Sequence, residues 1–298
     1  MRTILVAAPV NRLSDSLICA RDAILDRLFG RPGCMAGNAQ AGATTPHIAT
    51  ELRAVMNRLK AQAISADGAR VDYEAVRRSD DYAHYRAYLL PKLAAFDPMS
   101  LQTRAEQLAF WINLYHVVVI DAVISTGVKR SVTEGGPGGL TFFRRAGCGV
   151  GGHCLSCDDI EHGILRANRG HPIIPGPQFA SDDPRRAWVI EPLDPRIHFA
   201  LNCASRSCPP IGVYDAIRLD KQLTLAARSF VEQTTRCAGG GLEVSALFRW
   251  YEGDFGGRAG VLRFLADHLP DDARRATIVT HAVATPLRYA KYDWGLNV

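Results

Sequence analysis

The chain has 298 residues, 47% of them hydrophobic and 22% charged, a balance that fits a globular protein with a sizeable core and excludes a wholly disordered one. Its net charge of +5 comes almost entirely from arginines spread along the chain, with no dense basic run and interleaved aromatics, which speaks against nucleic-acid binding. No eighteen consecutive residues are apolar, so no transmembrane segment is expected, and eight cysteines are too few for a disulfide scaffold, so most are expected to be reduced or simply buried.

The first 45 residues differ from the rest. The apolar start from Met1 to Val10 resembles the core of a signal segment, but Asn11 and Arg12 interrupt it and no small-residue cleavage site follows. It is read as no signal peptide, and the protein is expected in the cytoplasm. Gly, Ala and Asn cluster between Gly30 and Thr45, where Met35 offers a second start. Residues 1–45 are therefore expected to be a poorly ordered extension, and residues 46–298 one domain.

Helical spacing begins at residues 48–63, where Leu52, Val55, Met56 and Leu59 share a face, and a second helix is expected over 81–95. A third, over about 103–125, is apolar nearly all round: Leu108, Trp111, Ile112, Tyr115, Val118, Val119 and Ala122 on one arc, Phe110, Val117 and Ile120 on the other. Such a helix belongs at the centre, and Asn113 and His116 on it become buried polar groups in need of partners. After the glycine-rich residues 135–139 come short strand-like pieces near 140–143 and 147–152. Ser156 then reads as the N-cap of a helix over 158–168, with Asp158 and Asp159 in its first turn. Residues 187–190 and 197–203 read as two strands about a Pro-Leu-Asp-Pro turn, followed by helices over 219–233, 247–251 and 261–268. The sum is an α+β fold: a single, mostly helical domain with a small, mainly antiparallel sheet.

Several stretches carry a family resemblance. They are Ala109-Phe110-Trp111-Ile112-Asn113-Leu114-Tyr115, the run from Leu155 to Arg166, the run from Asp194 to Pro210, Trp250-Tyr251-Glu252-Gly253-Asp254-Phe255, and the terminal Tyr292-Asp293-Trp294-Gly295-Leu296-Asn297. Together these resemble the family known as domain of unknown function 547 over roughly residues 50–297. The resemblance implies no established reaction. His116 stands where the family more often has Asn, Cys157 where an aliphatic residue is usual, and Cys148 and Cys154 lie outside the pattern.

The run from Asp194 to Pro210 concentrates the chemistry, with His198, Asn202, Cys203, Ser205, Ser207 and Cys208 close together. On a strand, His198, Ala200 and Asn202 would share one face and Cys203 the core face, leaving Cys208 as the exposed thiol. A cysteine nucleophile needs a lowered pKa, usually from an imidazole that a third group orients. The candidate catalytic set is Cys208 as nucleophile, His162 or His198 as base, and Glu161, Asn113 or Asp194 as orienting group. Asn202, Ser205, Ser207, Arg196 and Arg206 are the candidates for holding substrate, although Arg196 is also placed to brace its own turn through Glu191. The expected polar centre joins Asn113, Glu161, His162, His198, Asn202 and Cys208. The leading expectation is a cysteine-dependent hydrolase or acyl transferase acting on a small-molecule or peptide substrate. The alternatives are a non-catalytic protein-binding module and a zinc protein. For zinc, Cys154 and Cys157 with His153 and His162, or Cys203 with Cys208, would be ligands; plain buried thiols explain the first pair better, so no metal or cofactor is assigned. Glycines 135–152 lack the order of a phosphate loop.

Overall fold

The computed structural model describes residues 10–34 and 47–298. Helix α1 (Val10–Phe29) lies within the stretch expected to be a poorly ordered extension. Ile18 is buried, Arg21 donates to the carbonyls of Pro177 (2.7 Å) and Pro175 (3.1 Å), Asp26 pairs with Arg144 (2.7 Å), and Cys34 is disulfide-bonded to Cys154. These contacts hold residues 10–34 on the body of the domain. The apolar start up to Pro9 and the second methionine, Met35, lie outside the described residues.

Helix α2 (Ile48–Ala63) buries its expected face, and α3 (Tyr73–Arg78) follows, capped by Asp72. The helix expected over 81–95 is continuous but changes pitch: α4 (Asp80–His84), a π-helical segment (Tyr85–Leu89) and α5 (Leu90–Ala95). Pro91 explains the wider segment, since it lacks an N–H and its ring crowds the carbonyl four residues earlier. Helix α6 (Arg104–Thr126) opens on a capping box between Thr103 and Glu106 and runs through the centre of the main core. Among the described helices it alone has the length and mean hydropathy (1.7) of a membrane span, yet 83% of that window is covered by the protein's own chain.

Residues expected as a strand near 140–143 form helix α7 (Leu140–Arg145). A short apolar run does not reveal its period, and here Arg144 and Arg145 favour the C-terminal end of a helix. Strands β1 (Gly147–Val150) and β2 (His153–Ser156) make an antiparallel hairpin, whose turn places Gly151 and Gly152 at φ 56° and 78°, a conformation other residues adopt only at a cost.

The helix expected over 158–168 is a π-helical turn (Asp159–Leu165). Ser156 and Asp159 cap it reciprocally, Ser156 N–H to Asp159 Oδ2 (2.9 Å) and Asp159 N–H to Ser156 Oγ (3.0 Å). Arg166 N–H then reaches back five residues to Glu161 O (2.9 Å). Gly163 permits the tight seat of this turn, because a Cβ there would lie 2.3 Å from the buried Phe179 ring. Gly163→Ala is expected to cost about 1–3 kcal/mol through overpacking, seen as a lower Tm with the far-UV spectrum unchanged.

The two expected strands at 187–190 and 197–203 are 3₁₀ turns, Pro184–Trp188 and Pro195–Phe199. Each begins with the same triplet, Asp183-Pro184-Arg185 and Asp194-Pro195-Arg196. The aspartate caps the N–H two residues on (2.9 and 3.0 Å), proline takes the first helical position, and the arginine folds back on its aspartate (2.6 and 2.7 Å). The triplet is a helix start, and it overrides the β-branched and aromatic residues that follow.

Helix α8 (Leu219–Thr234) leads to β3 (Arg236–Ala238) and β4 (Gly241–Val244), then α9 (Leu247–Trp250), α10 (Gly257–His268), α11 (Ala273–His281) and β5 (Leu287–Tyr289). In this second sheet β4 is central, antiparallel to β3 and parallel to β5. The fold is thus α+β and mostly helical, with two small sheets. A smaller core of Phe199, Phe230, Phe248 and Phe255 adjoins the main one. Ile197 and Ala200 belong to the main core and Phe199 to the smaller, so His198 is set at the seam.

Candidate functional site

At that seam lies a cavity of about 260 Å³, lined by residues from several separate stretches of the chain. The π-helical turn contributes Glu161 and His162, with Asp158 just before it; the 3₁₀ turn at 195–199 contributes His198; the loop after it contributes Cys203 and Cys208. Helix α6 adds Tyr115, and the C-terminal half adds Trp250, Tyr251, Tyr292 and Trp294.

Glu161 is gripped by two phenols, accepting from Tyr115 (3.0 Å) and Tyr251 (2.6 Å). Burial, with the Glu161 charge beside them, pushes both hydroxyls well above the ordinary tyrosine range, so they stay donors. His162 is fixed as one tautomer: the Arg166 guanidinium donates to its Nδ1 (3.1 Å), so the proton of the neutral ring resides on Nε2, which faces Asp158 Oδ1 at 3.8 Å. Burial, with the neighbouring His171 and Arg166, holds this imidazole well below its usual pKa. His171 packs edge-on at 4.9 Å and is itself lowered to about 4 by burial and by Arg166. Asp158 moves the other way: burial, reinforced by Glu161 and Asp159, raises its carboxyl to about 8.

His198 has a different arrangement. Its Nε2–H meets Asp254 Oδ2 at 2.8 Å, its ring stacks on Tyr251 at 3.9 Å, and its buried Nδ1 has no hydrogen-bond partner. Burial lowers the pKa more than Asp254 raises it, which favours the neutral ring with its buried Nδ1 as an unpartnered acceptor. Asp254 also takes a bidentate pair from Arg166 (2.6 and 3.1 Å) and a contact from Arg169 (3.3 Å). Burial alone would raise this carboxyl, but the bonds from His198 and Arg166 reverse that and hold it far below the ordinary range. Arg166, in turn, sits 4.6 Å over the Tyr251 ring.

Cys203 and Cys208, which also line the cavity, are joined as a disulfide. The Tyr292 hydroxyl lies 3.3 and 3.1 Å from their sulfurs, and Ser205 Oγ donates to that hydroxyl (3.0 Å).

Residues 98–231 match the model of a family described as "Protein of unknown function, DUF547". The chain is a DUF547 domain-containing protein. Comparison with curated proteins gives no match, and neither does comparison with solved structures. The DUF547 span holds α6, the π-helical turn and the disulfide loop, whereas Tyr251, Asp254 and Tyr292 come from residues beyond it.

Of the residues expected at a shared centre, Glu161, His162, His198 and Cys208 do line one cavity. Asn113 does not. Its amide clamps the backbone of Tyr214 from both sides (2.8 and 2.9 Å), as befits a buried amide on a core helix. Asn202 is likewise a clamp, donating to Pro209 O (2.7 Å) and accepting from Ala204 N–H (2.9 Å), so it shapes the disulfide loop from behind. Ser205 touches the sulfurs, and Ser207 accepts from Asp293 N–H (2.8 Å). Arg196 is committed to Asp194, Asp220 and Thr224 rather than Glu191, and Arg206 is exposed near Asp293 (3.9 Å). None of these five residues lines the cavity. His116 bonds the Ala200 carbonyl (2.9 Å), and burial lowers it to about 4.

Because residues 197–203 are not a strand, the expected alternation fails and both sulfurs face the cavity. The group that orients His198 is Asp254, not Asp194, Glu161 or Asn113. Tyr251 and Asp254 are three apart within the motif Trp250–Phe255, a spacing that places both on one side of a helical turn. Four of the eight cysteines are paired, more than expected. Cys154 is bonded to Cys34 and Cys203 to Cys208, so neither pair considered for zinc supplies two free thiolates. Among the described residues, no three His, Cys, Asp or Glu side chains are grouped to hold a metal ion.

Proposed function

We propose that the cavity is a site of hydrolysis or acyl transfer, with His198 as base and Cys208 as nucleophile once its bond to Cys203 is reduced by a dithiol. The observation that carries this reading is the state of His198: one nitrogen held by Asp254, the other buried and without a partner, on a residue that lines the same cavity as Cys208. In the proposed reaction the Cys208 proton passes to His198 Nδ1, the thiolate adds to a carbonyl carbon, and the leaving group departs with that proton. Water or a second nucleophile then releases the acyl group from the thioester. The two disulfides favour an oxidising compartment over the cytoplasm, where thiols are kept reduced. Cys208 would then be latent until it meets a reductant.

One observation favours a second reading, a binding module without chemistry: the side-chain hydrogen-bond partners of the two sulfurs are Tyr292 and Ser205, not an imidazole. Iodoacetamide labelling of Cys208 after mild reduction separates the two. The catalytic reading expects fast labelling well below the ordinary thiol pKa of about 8.5, slowed at least about tenfold by His198→Ala, and turnover of p-nitrophenyl esters lost in Cys208→Ser. Labelling at the rate of a free thiol, indifferent to His198, would leave the binding module.

A further inference from the structure

The cavity has a charge character that the proposed chemistry does not use. Its described lining includes the carboxyl groups of Asp158 and Glu161 but no lysine or arginine. Its three histidines are neutral, each lowered by burial. Asp158 is only 5% exposed, lines the cavity, and its side chain makes no hydrogen bond among the described residues; it faces His162 Nε2 at 3.8 Å. Glu161 Oε1 lies the same 3.8 Å from the other nitrogen of that ring, so the two carboxyl groups flank one imidazole. A buried carboxyl left without a donor is costly, and a cation is the ligand that relieves it. Much of the remaining wall is aromatic, with Tyr115, Phe143, Trp250, Tyr251, Tyr292 and Trp294. Aromatic faces attract ammonium groups and shed anions.

We infer that the cavity takes a cationic amine, its ammonium head held by the Asp158 carboxyl with Glu161 close by and its apolar part against the aromatic wall. The inference rests on the reading of this cavity as the functional site, and it makes the substrate an ester or amide that carries an ammonium group. Asp158 faces Glu161, His162 and Asp159 from its own turn and Arg144 from α7, and at neutral pH its carboxyl is protonated. An ammonium ion would draw that proton off, so binding should release a proton and strengthen as the pH rises toward 8.5.

The test uses three isosteres, 2-phenylethylammonium, 2-phenylethanol and 3-phenylpropionate, titrated by calorimetry into the full chain with its disulfides intact. At pH 8.5 the amine is expected to bind at least about tenfold more tightly than the alcohol, with the acid weakest. Asp158→Asn, which removes charge but no hydrogen bond, should abolish the difference between amine and alcohol while near-UV circular dichroism stays native. Equal binding of amine and alcohol, a preference for the acid, no binding of the amine, or an undiminished preference in Asp158→Asn would each overturn the inference. The wild-type comparison decides the matter even where the variant fails to fold. Binding is measured without reduction, so the catalytic reading fails separately: amine preference without ester turnover removes only the chemistry, and turnover without amine preference removes only this inference.

Discussion

Asp254→Ala is expected to destabilise the protein by about 3–5 kcal/mol, measured by urea unfolding at neutral pH. The carboxylate of Asp254 is almost wholly buried and is the shared partner of Arg166, His198 and Arg169. Removing it strands the Arg166 guanidinium, whose side chain is only 5% exposed and whose remaining hydrogen-bond partners are the neutral His162 ring and the Gly170 carbonyl. A buried cation without its counter-ion keeps its desolvation cost and loses the compensating attraction. The control is Arg166→Met combined with Asp254→Leu. The pair removes both charges together, so its loss should be smaller than the sum of the single losses, a coupling that a double-mutant cycle reads directly. A loss below about 1 kcal/mol for Asp254→Ala would show that Arg166 finds another partner or reaches water.

Stability should peak near pH 6.5 and fall on both sides. His116 and His171 are held near 4, and His162 and His198 are also lowered, against about 6.5 in the unfolded chain. Below pH 6.5 the unfolded state therefore binds protons that the native state refuses, and stability drops as the pH falls. His116 and His171 alone give on the order of 3 kcal/mol each between pH 6.5 and 4. Asp158 acts in the opposite sense. Its folded pKa of about 8 lies above the unfolded carboxylate value of about 3.9, so the stability it contributes is lost as the pH rises toward 8. Between 4 and 6.5 the four histidines outweigh it; from 6.5 to 8 it leads and removes about 2 kcal/mol. Urea midpoints from pH 4 to 8 would show the maximum. Asp158→Asn should flatten the alkaline limb, and a curve still rising from pH 6.5 to 8 would refute the buried, protonated Asp158.

What the sequence revealed follows from the range of the interactions involved. Helix α6 was legible because its apolar residues occupy the whole wheel, and a helix with that pattern has nowhere to go but the centre. The cap at Ser156 was legible because it lies within three residues of its partner. The 3₁₀ turns are masked by the alternating Ile197, Phe199 and Leu201, which carry a strand pattern, while the repeated Asp-Pro-Arg triplets decide the backbone there. Strands β3 to β5 have three or four residues each and show no period; β5 joins β4 across more than forty residues, beyond any local signal. At the site, Glu161, His162, His198 and Cys208 are legible as chemically capable side chains within the motifs that carry the family resemblance. Asn113 has the same polar character, yet its position on α6 committed it to the Tyr214 backbone. Asp254 escaped because what it does depends on Arg166 and His198, far off in sequence, and only the fold brings the three together.

The bond between Cys34 and Cys154 turns 121 residues of the chain, both cysteines included, into a closed covalent loop, and the topology of that loop has a material result. A single cut anywhere between the two cysteines leaves the molecule in one piece, with α1 still attached to β2. The nicked protein would migrate as two fragments only after reduction. The N-terminal helix is thus fastened twice, by its side-chain contacts and by chain connectivity, and only the second fastening survives denaturation.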